Sequence, residues 1–236
     1  MTELLVHEAC RKGKLEVLEE AVEAGCDPRE RGLQAGTLPL HWACHYGHLK
    51  CADYLLRLGL NDINCRNDNG NTPLHYATIA GRLDVVEFLV KNAADVNIIN
   101  NDGQSPLHGA VGQGWYNVVK YLVTYRSMSC RECRRYRCRI HQVDINSADC
   151  MGTTPLHIAS TFLTSRMYDL LVRHGADTRA VDVYGRCPIS PRIRRQQFIM
   201  ECAPFVFSLL FLFAGIYVKK CVLRNDVETV EGSTDV

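Results

Sequence analysis

The feature that most constrains this chain is a short motif that recurs along it. Four copies, LPLHWACHYGH, TPLHYATIAGR, SPLHGAVGQGW and TPLHIASTFLT, place their prolines at positions 39, 73, 106 and 155. The steps between these prolines are 34, 33 and 49 residues, and Pro188 in RCPIS follows 33 residues later. The fourth unit therefore contains an insertion of 16 residues within a period of 33. A fixed period of this length predicts a stacked repeat architecture.

Each motif predicts the start of a helix. Thr72, Ser105 and Thr154 are favourable N-cap residues, and the prolines after them suit the first helical position, where no amide hydrogen is needed. A glycine follows each of the first four helix segments, where a turn with positive φ would join antiparallel helices. These glycines are Gly13, Gly47, Gly81 and Gly114, whereas the fifth unit has Leu163, which predicts an altered turn. One unit cannot bury its apolar face alone, so stacking must supply the core.

The repeated motif resembles the ankyrin repeat, over roughly residues 3 to 190. The resemblance implies an all-α solenoid of about five helix-pair repeats with short loop fingers. Residues 1–36 would form a degenerate first repeat, and residues 37–190 the remaining repeats. It also implies that the motif histidines hydrogen-bond within and between repeat loops, which we favour over a metal site because each occupies the same place in its own unit. They are His41, His75, His108 and His157.

The sequence predicts a binding module without catalytic activity. It contains no serine elbow, no phosphate-cradling glycine loop and no pair of carboxylates at a recognisable spacing. The resemblance implies a concave surface suited to a protein partner. The candidate partner-binding residues are Trp42, His45, Tyr46, Tyr76, Trp115 and Tyr116, for which ordinary packing between repeats is the alternative.

Two loop asparagines are candidate modification sites. Asn64 in LRLGLNDIN and Asn97 in LVKNAADVN lie in patterns similar to ankyrin sites that asparaginyl hydroxylases modify.

The insertion, at about residues 127–142, carries an unusual composition. Its cysteines and histidine, Cys130, Cys133, Cys138 and His141, are enough for one tetrahedral zinc site, the only cofactor that the chain suggests. Residues 126–142 also hold six arginines and one glutamate, a local charge of +5 that favours thiolates but opposes the approach of a dication. Zinc binding, nucleic-acid binding and a solvated basic loop therefore remain alternatives.

A second feature outside the repeats is an apolar segment near the C-terminus. Residues 202–218 contain no charged side chain, which predicts a single transmembrane helix. Residues 191–201 would form a basic juxtamembrane segment and residues 219–236 a short tail. Basic residues of the insertion and of this segment could contact anionic lipids. They are Arg131, Arg134, Arg135, Arg137, Arg139, Arg192, Arg194 and Arg195.

The charge and the cysteines indicate where the repeats reside. The formal net charge is only +1, so no global field selects a nucleic acid or a membrane as partner. The N-terminus does not resemble a secretory signal, and the scattered cysteines are interpreted as reduced thiols. We therefore expect a tail-anchored protein whose repeats face the cytosol. The final STDV resembles a PDZ ligand through Thr234 and Val236, which would require a cytosolic tail.

These observations lead to one principal hypothesis and two alternatives. The principal hypothesis is a membrane-anchored scaffold or adaptor that binds a protein through its concave face. The first alternative is a zinc- or nucleic-acid-binding module that acts through residues 127–142. The second is an adaptor that delivers substrates to a modifying enzyme.

Overall fold

The computed structural model describes residues 3–59, 62–125, 142–162 and 165–191, which belong to one compact unit ending at Pro191. The described residues form ten α-helices that pair in chain order. They are α1 (Glu3–Lys12), α2 (Leu15–Glu23), α3 (Pro39–Tyr46), α4 (Leu49–Arg57), α5 (Pro73–Ile79), α6 (Leu83–Lys91), α7 (Pro106–Gly112), α8 (Tyr116–Thr124), α9 (Pro155–Thr161) and α10 (Ser165–Arg173). The predicted all-α stack of five helix pairs is confirmed.

Each repeat is built as its sequence predicts. The first helices of repeats two to five begin at the motif proline, and the residue before it is extended, as at Thr72 with φ −94° and ψ 167°. In repeats one to four, the glycine that follows the first helix (Gly13, Gly47, Gly81 and Gly114) has φ between 69° and 84°, the left-handed region that a residue with a Cβ avoids. The expected reversal between the two helices of a repeat is thus confirmed.

The hydrophobic core runs along the stack instead of forming one centre. The motif leucine of each repeat is at most 1% exposed, and a leucine from each second helix is at most 3% exposed. These residues are Leu40, Leu74, Leu107 and Leu156 from the first helices, and Leu55, Leu89, Leu122 and Leu171 from the second helices. Burial of one such side chain contributes about 1.5–3 kcal/mol. Because each layer is completed by its neighbours, no repeat is stable alone.

Loops between successive repeats form a row of hydrogen-bonded fingers. The Asn67 side-chain oxygen accepts the backbone N–H groups of Asn69 and Asn71 at 3.1 and 2.9 Å. Asn100, Asp149 and Asp182 do the same in the next three fingers. Backbone hydrogen bonds of 2.9–3.0 Å then join neighbouring fingers, each from the N–H of one finger to a carbonyl of the preceding finger. The donor and acceptor pairs are Asp68 and Ala35, Asn101 and Asn69, Cys150 and Asp102, and Val183 and Met151.

The chain resumes the repeat pattern after the insertion. Helix α8 ends at Thr124, and Val143 and Ile145 enter the core with 5% and 7% of their surface exposed. Residue Leu163 lies outside the described residues, but Phe162, which follows α9, is extended (φ −76°, ψ 144°), whereas Ala80 and Gln113 after α5 and α7 are helical. The end of α9 therefore differs from the corresponding helix ends in the third and fourth repeats.

The described cysteines are all free thiols. Cys10, Cys44 and Cys51 are buried, and burial raises the pKa of each thiol, so these side chains are protonated at neutral pH. Their place in the structure is that of small core residues.

Within the described ranges, no helix has the length and apolar character needed to cross a bilayer. The apolar segment 202–218 and the tail 219–236 lie outside those ranges, as do all but the first residue of segment 191–201. Their predicted roles remain predictions.

Candidate partner-binding surface

The first helices and the fingers define one side of the array. Neighbouring first helices, α1, α3, α5, α7 and α9, pack more closely on one another than the second helices do. A stack that is spaced more tightly on one side is concave on that side. The side chains of the first helices that escape the core therefore lie on the concave surface, beside the fingers.

Four of the six candidate partner-binding residues come together there. The ring of Trp42 lies 6.1 Å from that of Tyr46 and 6.0 Å from that of Tyr76, between centroids. His45 lies 5.0 Å from Tyr46 and 6.0 Å from Tyr76. All four side chains are half-buried. We call these residues the aromatic cluster.

The aromatic cluster is anchored at both ends. The Tyr76 hydroxyl accepts a hydrogen bond from the Asn67 side-chain amide at 3.1 Å, which connects the cluster to a finger. At the other end, the Arg11 guanidinium lies 5.2 Å from the Trp42 ring centroid and 5.9 Å from that of Tyr46. These contacts hold the rings in place before any partner binds.

The structure gives Trp115 and Tyr116 contacts elsewhere in the array. Trp115 is 43% exposed, and its indole N–H donates to the Ile79 carbonyl of the preceding repeat at 2.9 Å. Tyr116 begins α8, a second helix, and the Arg166 guanidinium lies 4.0 Å from its ring centroid. Neither residue belongs to the aromatic cluster.

Trp115 is one member of a series that the sequence analysis missed. The residue after the inter-helix glycine donates to a carbonyl of the preceding repeat, located two residues before that repeat's own glycine. The pairs are His48 to Arg11 at 3.0 Å, Arg82 to His45 at 3.1 Å and Trp115 to Ile79 at 2.9 Å. The same side chains cover Gly13, Gly47 and Gly81. The sequence signal for this series was the fixed position of the donor directly after each glycine. It was missed because the three donors are different amino acids.

The motif histidines form a second series of hydrogen bonds. In the third repeat, His75 Nδ1 accepts the backbone N–H of Thr72 at 3.1 Å, and the Thr72 hydroxyl donates to the same nitrogen at 2.8 Å. His75 Nε2 lies 3.0 Å from the Gln104 carbonyl oxygen, so Nε2 carries the hydrogen and donates. His41, His108 and His157 bridge their own helix start and the following finger in the same way. The predicted structural role is confirmed.

Burial keeps three of these histidines, His41, His75 and His108, neutral. It lowers the pKa of His41 and of His75 to about 4, and it also lowers the pKa of His108. A protonated Nδ1 could no longer accept the backbone N–H, so the network requires the neutral ring.

The candidate modification sites take part in contacts between repeats. The Asn64 side-chain oxygen accepts the backbone N–H of Asp95 at 2.9 Å, and that of Asn97 accepts the N–H of Asp144 at 2.8 Å. The Asn97 amide also donates to the Gln142 carbonyl at 2.9 Å. Hydroxylation of either residue stays a prediction, and an enzyme would have to open these contacts to reach the side chain.

Several predicted sites fall outside the described residues. They are the zinc ligands Cys130, Cys133, Cys138 and His141, all the arginines proposed for anionic lipids, and the PDZ-like Thr234 and Val236. Elsewhere, in the part of the chain that the structure describes, no group of three or more histidine, cysteine, aspartate or glutamate side chains could hold a metal ion. The zinc, lipid and PDZ hypotheses remain predictions.

Stacked helix pairs, hydrogen-bonded fingers and a concave aromatic surface define this chain as a helical repeat protein of the solenoid class. The family model for ankyrin repeats (3 copies) matches residues 6–100 and 93–182, and the chain belongs to the ankyrin-repeat family. A sequence search found no curated protein that matches it. Ankyrin-repeat domains are typically non-catalytic binding modules, and this membership indicates a scaffold for protein–protein interaction.

Proposed function

We propose that this protein is a membrane-anchored scaffold or adaptor that binds a protein partner through the concave face of its repeats. The observation that carries the proposal is the aromatic cluster of Trp42, His45, Tyr46 and Tyr76. Aromatic side chains are enriched where protein interfaces concentrate their binding energy. Here they are held by neighbouring rings and by Arg11, so a partner would meet a surface with little conformational freedom left to lose.

The position of the cluster also favours a protein partner. Ile79, at the end of α5, is 39% exposed, which extends the apolar surface beyond Tyr76. The fingers beside it carry exposed polar residues, including Asn69 and Asn101. An apolar centre with a polar rim is the usual composition of a specific protein interface.

A photo-crosslinking residue tests which face binds. When a photo-crosslinking amino acid replaces Tyr46 or Ile79, we expect both variants to yield one common crosslinked partner in cells. The same residue at Lys50 or Lys120, which are exposed on the second helices α4 and α8, should yield no such product. Trp42→Ala should then weaken the affinity for that partner by at least about tenfold, the loss typical of an interface hot spot. A partner that crosslinks from Lys50 or Lys120 instead would contradict the proposal.

The membrane part of the proposal is supported by the uncharged segment 202–218 alone. Deletion of residues 198–223 should move the protein from carbonate-washed membranes into the supernatant, while its unfolding temperature stays unchanged because the repeats bury their core without this segment.

In the undeleted protein, a glycosylation acceptor placed after Val236 should be modified and one near Met1 should not. An undeleted chain found in the supernatant would refute membrane anchoring.

A further inference from the structure

We propose that the partner of the concave face contributes a segment that carries carboxylates and one apolar side chain. This segment docks between α1, α3 and the loop that joins α2 to α3, which we call the first finger. The inference rests on the proposed function and specifies the chemistry of the partner. It starts from a pocket of about 180 Å³ beside the aromatic cluster, whose lining includes His7, Arg11, Arg31, Leu33, Gln34 and Trp42.

The pocket has an apolar wall and enough room for one side chain. Leu33 in the finger is fully exposed, and Trp42 on α3 also lines the pocket. An apolar cavity of about 150 Å³ holds a benzene ring, so this pocket can receive an aliphatic or aromatic side chain. The partner's side chain would cover Leu33.

The shape of the pocket does not depend on a partner. His7 on α1 makes a 3.1 Å hydrogen bond through Nε2 to the Glu30 carbonyl at the base of the finger. The finger is closed by a 3.0 Å hydrogen bond from the Gly32 N–H to the Thr37 carbonyl. A preformed pocket lowers the entropic cost of binding.

The charged groups around the pocket favour a ligand that carries negative charge. Within the described residues, Arg11 forms no ion pair, and its guanidinium is held against the rings of Trp42 and Tyr46. A guanidinium that uses its face for such contacts keeps N–H donors at its edge for a carboxylate. The one carboxylate in the pocket lining, Glu8, already pairs with Lys12 at 2.8 Å.

A second cationic group extends the positive surface along the fingers. The Arg31 guanidinium donates to the Asp68 carboxylate at 2.7 Å and to the Arg66 carbonyl at 3.4 Å. The Arg66 guanidinium in turn donates to the Ile99 carbonyl at 2.9 Å. Of these three guanidinium groups, only that of Arg31 forms an ion pair within the described residues, with Asp68, so a ligand with negative charge complements those of Arg11 and Arg66.

A nucleic acid fits this surface less well than an acidic peptide. Base stacking needs an uncovered aromatic face, whereas Trp42 is contacted by Arg11, Tyr46 and Tyr76.

The test is selection of random peptides displayed on phage against the immobilised full-length chain. We expect the enriched peptides to combine acidic residues with an apolar one. A synthetic copy of the best peptide, measured by fluorescence anisotropy, should lose at least about tenfold in affinity with Arg11→Glu and with Leu33→Asp. Both residues are exposed, so the fold should tolerate these changes. The matched charge reversal Lys50→Glu, on the second helix α4, should change the affinity by less than about twofold.

Other results would overturn the inference. They are enrichment of basic or uncharged peptides, no enrichment at all, unchanged affinity in Arg11→Glu, or displacement of the peptide by single-stranded DNA at equal concentration. If any of these occurs while Tyr46 and Ile79 still crosslink to a common partner, the acidic-peptide inference fails and the proposed function stands. If those crosslinks are absent as well, the proposed function fails too.

Discussion

Lowering the pH from 7 to 5 is expected to reduce the free energy of unfolding of the repeat array by about 4 kcal/mol. The effect comes from His41 and His75, whose pKa values are lowered by burial from the ordinary 6.5 to about 4. Between these two pH values the unfolded chain binds protons that the folded chain excludes. The resulting stability is complete above pH 6.5 and is lost as the pH falls towards 4, about 2 kcal/mol per histidine by pH 5.

The pH range in which stability is lost separates the effect of the histidines from that of the carboxylates. The pKa values of Glu8, Asp27 and Asp182 are also lowered, but from ordinary values of 4.5 and 3.8, so these groups act below pH 5. Urea unfolding followed by far-UV circular dichroism at pH 7, 6 and 5 measures the loss. His75→Gln should be less stable at pH 7 because buried hydrogen bonds are lost, and its pH dependence should be smaller by about 2 kcal/mol.

His174→Gln, the same substitution at an exposed histidine outside the buried network, is the matched control. A free energy of unfolding that is constant between pH 7 and 5, or an unaltered pH dependence in His75→Gln, would show that the buried histidines do not govern acid stability.

The second large effect is expected for Gly81→Ala, which should lower the free energy of unfolding by about 2–4 kcal/mol. Gly81 has φ +71°, a conformation that costs a residue with a Cβ about 1 kcal/mol or more. An added Cβ would also lie 2.5 Å from Cδ2 of Trp115. The indole must then move and weaken its hydrogen bond to Ile79, which adds the cost of overpacking, about 1–3 kcal/mol.

Gly114→Ala is the matched control. Gly114 occupies the same position in the next repeat with φ +75°, but nothing lies within 4 Å of an added Cβ. We therefore expect only the backbone cost, about 1 kcal/mol. Urea unfolding gives both values, and Trp115→Ala should remove most of the difference between the two glycine substitutions. Equal losses in Gly81→Ala and Gly114→Ala would mean that the contact with Trp115 contributes nothing.

The concave surface could be predicted only in part. The motif places Trp42, His45, Tyr46 and Tyr76 on or near first helices, and these four do assemble. Trp115 resembles them in type, yet it occupies the position of His48 and Arg82 in its repeat and lies over the glycine of the preceding repeat. No sequence pattern indicates the pocket beside Arg11, because its lining comes from three separate segments, α1, the first finger and α3.

The sequence by itself determined the repeat period, the helix starts at proline and the positive-φ turns at glycine, whereas the role of the motif histidines was implied by the resemblance to ankyrin repeats. These features depend on contacts within about four residues, or on one contact repeated at a constant period, so a single chain displays them directly. The tertiary structure alone decided which side chains meet across repeats. His48, Arg82 and Trp115 occupy equivalent positions but share no chemistry except an N–H donor. Their common role follows from the stacking distance between helices, which brings that donor to a carbonyl of the previous repeat.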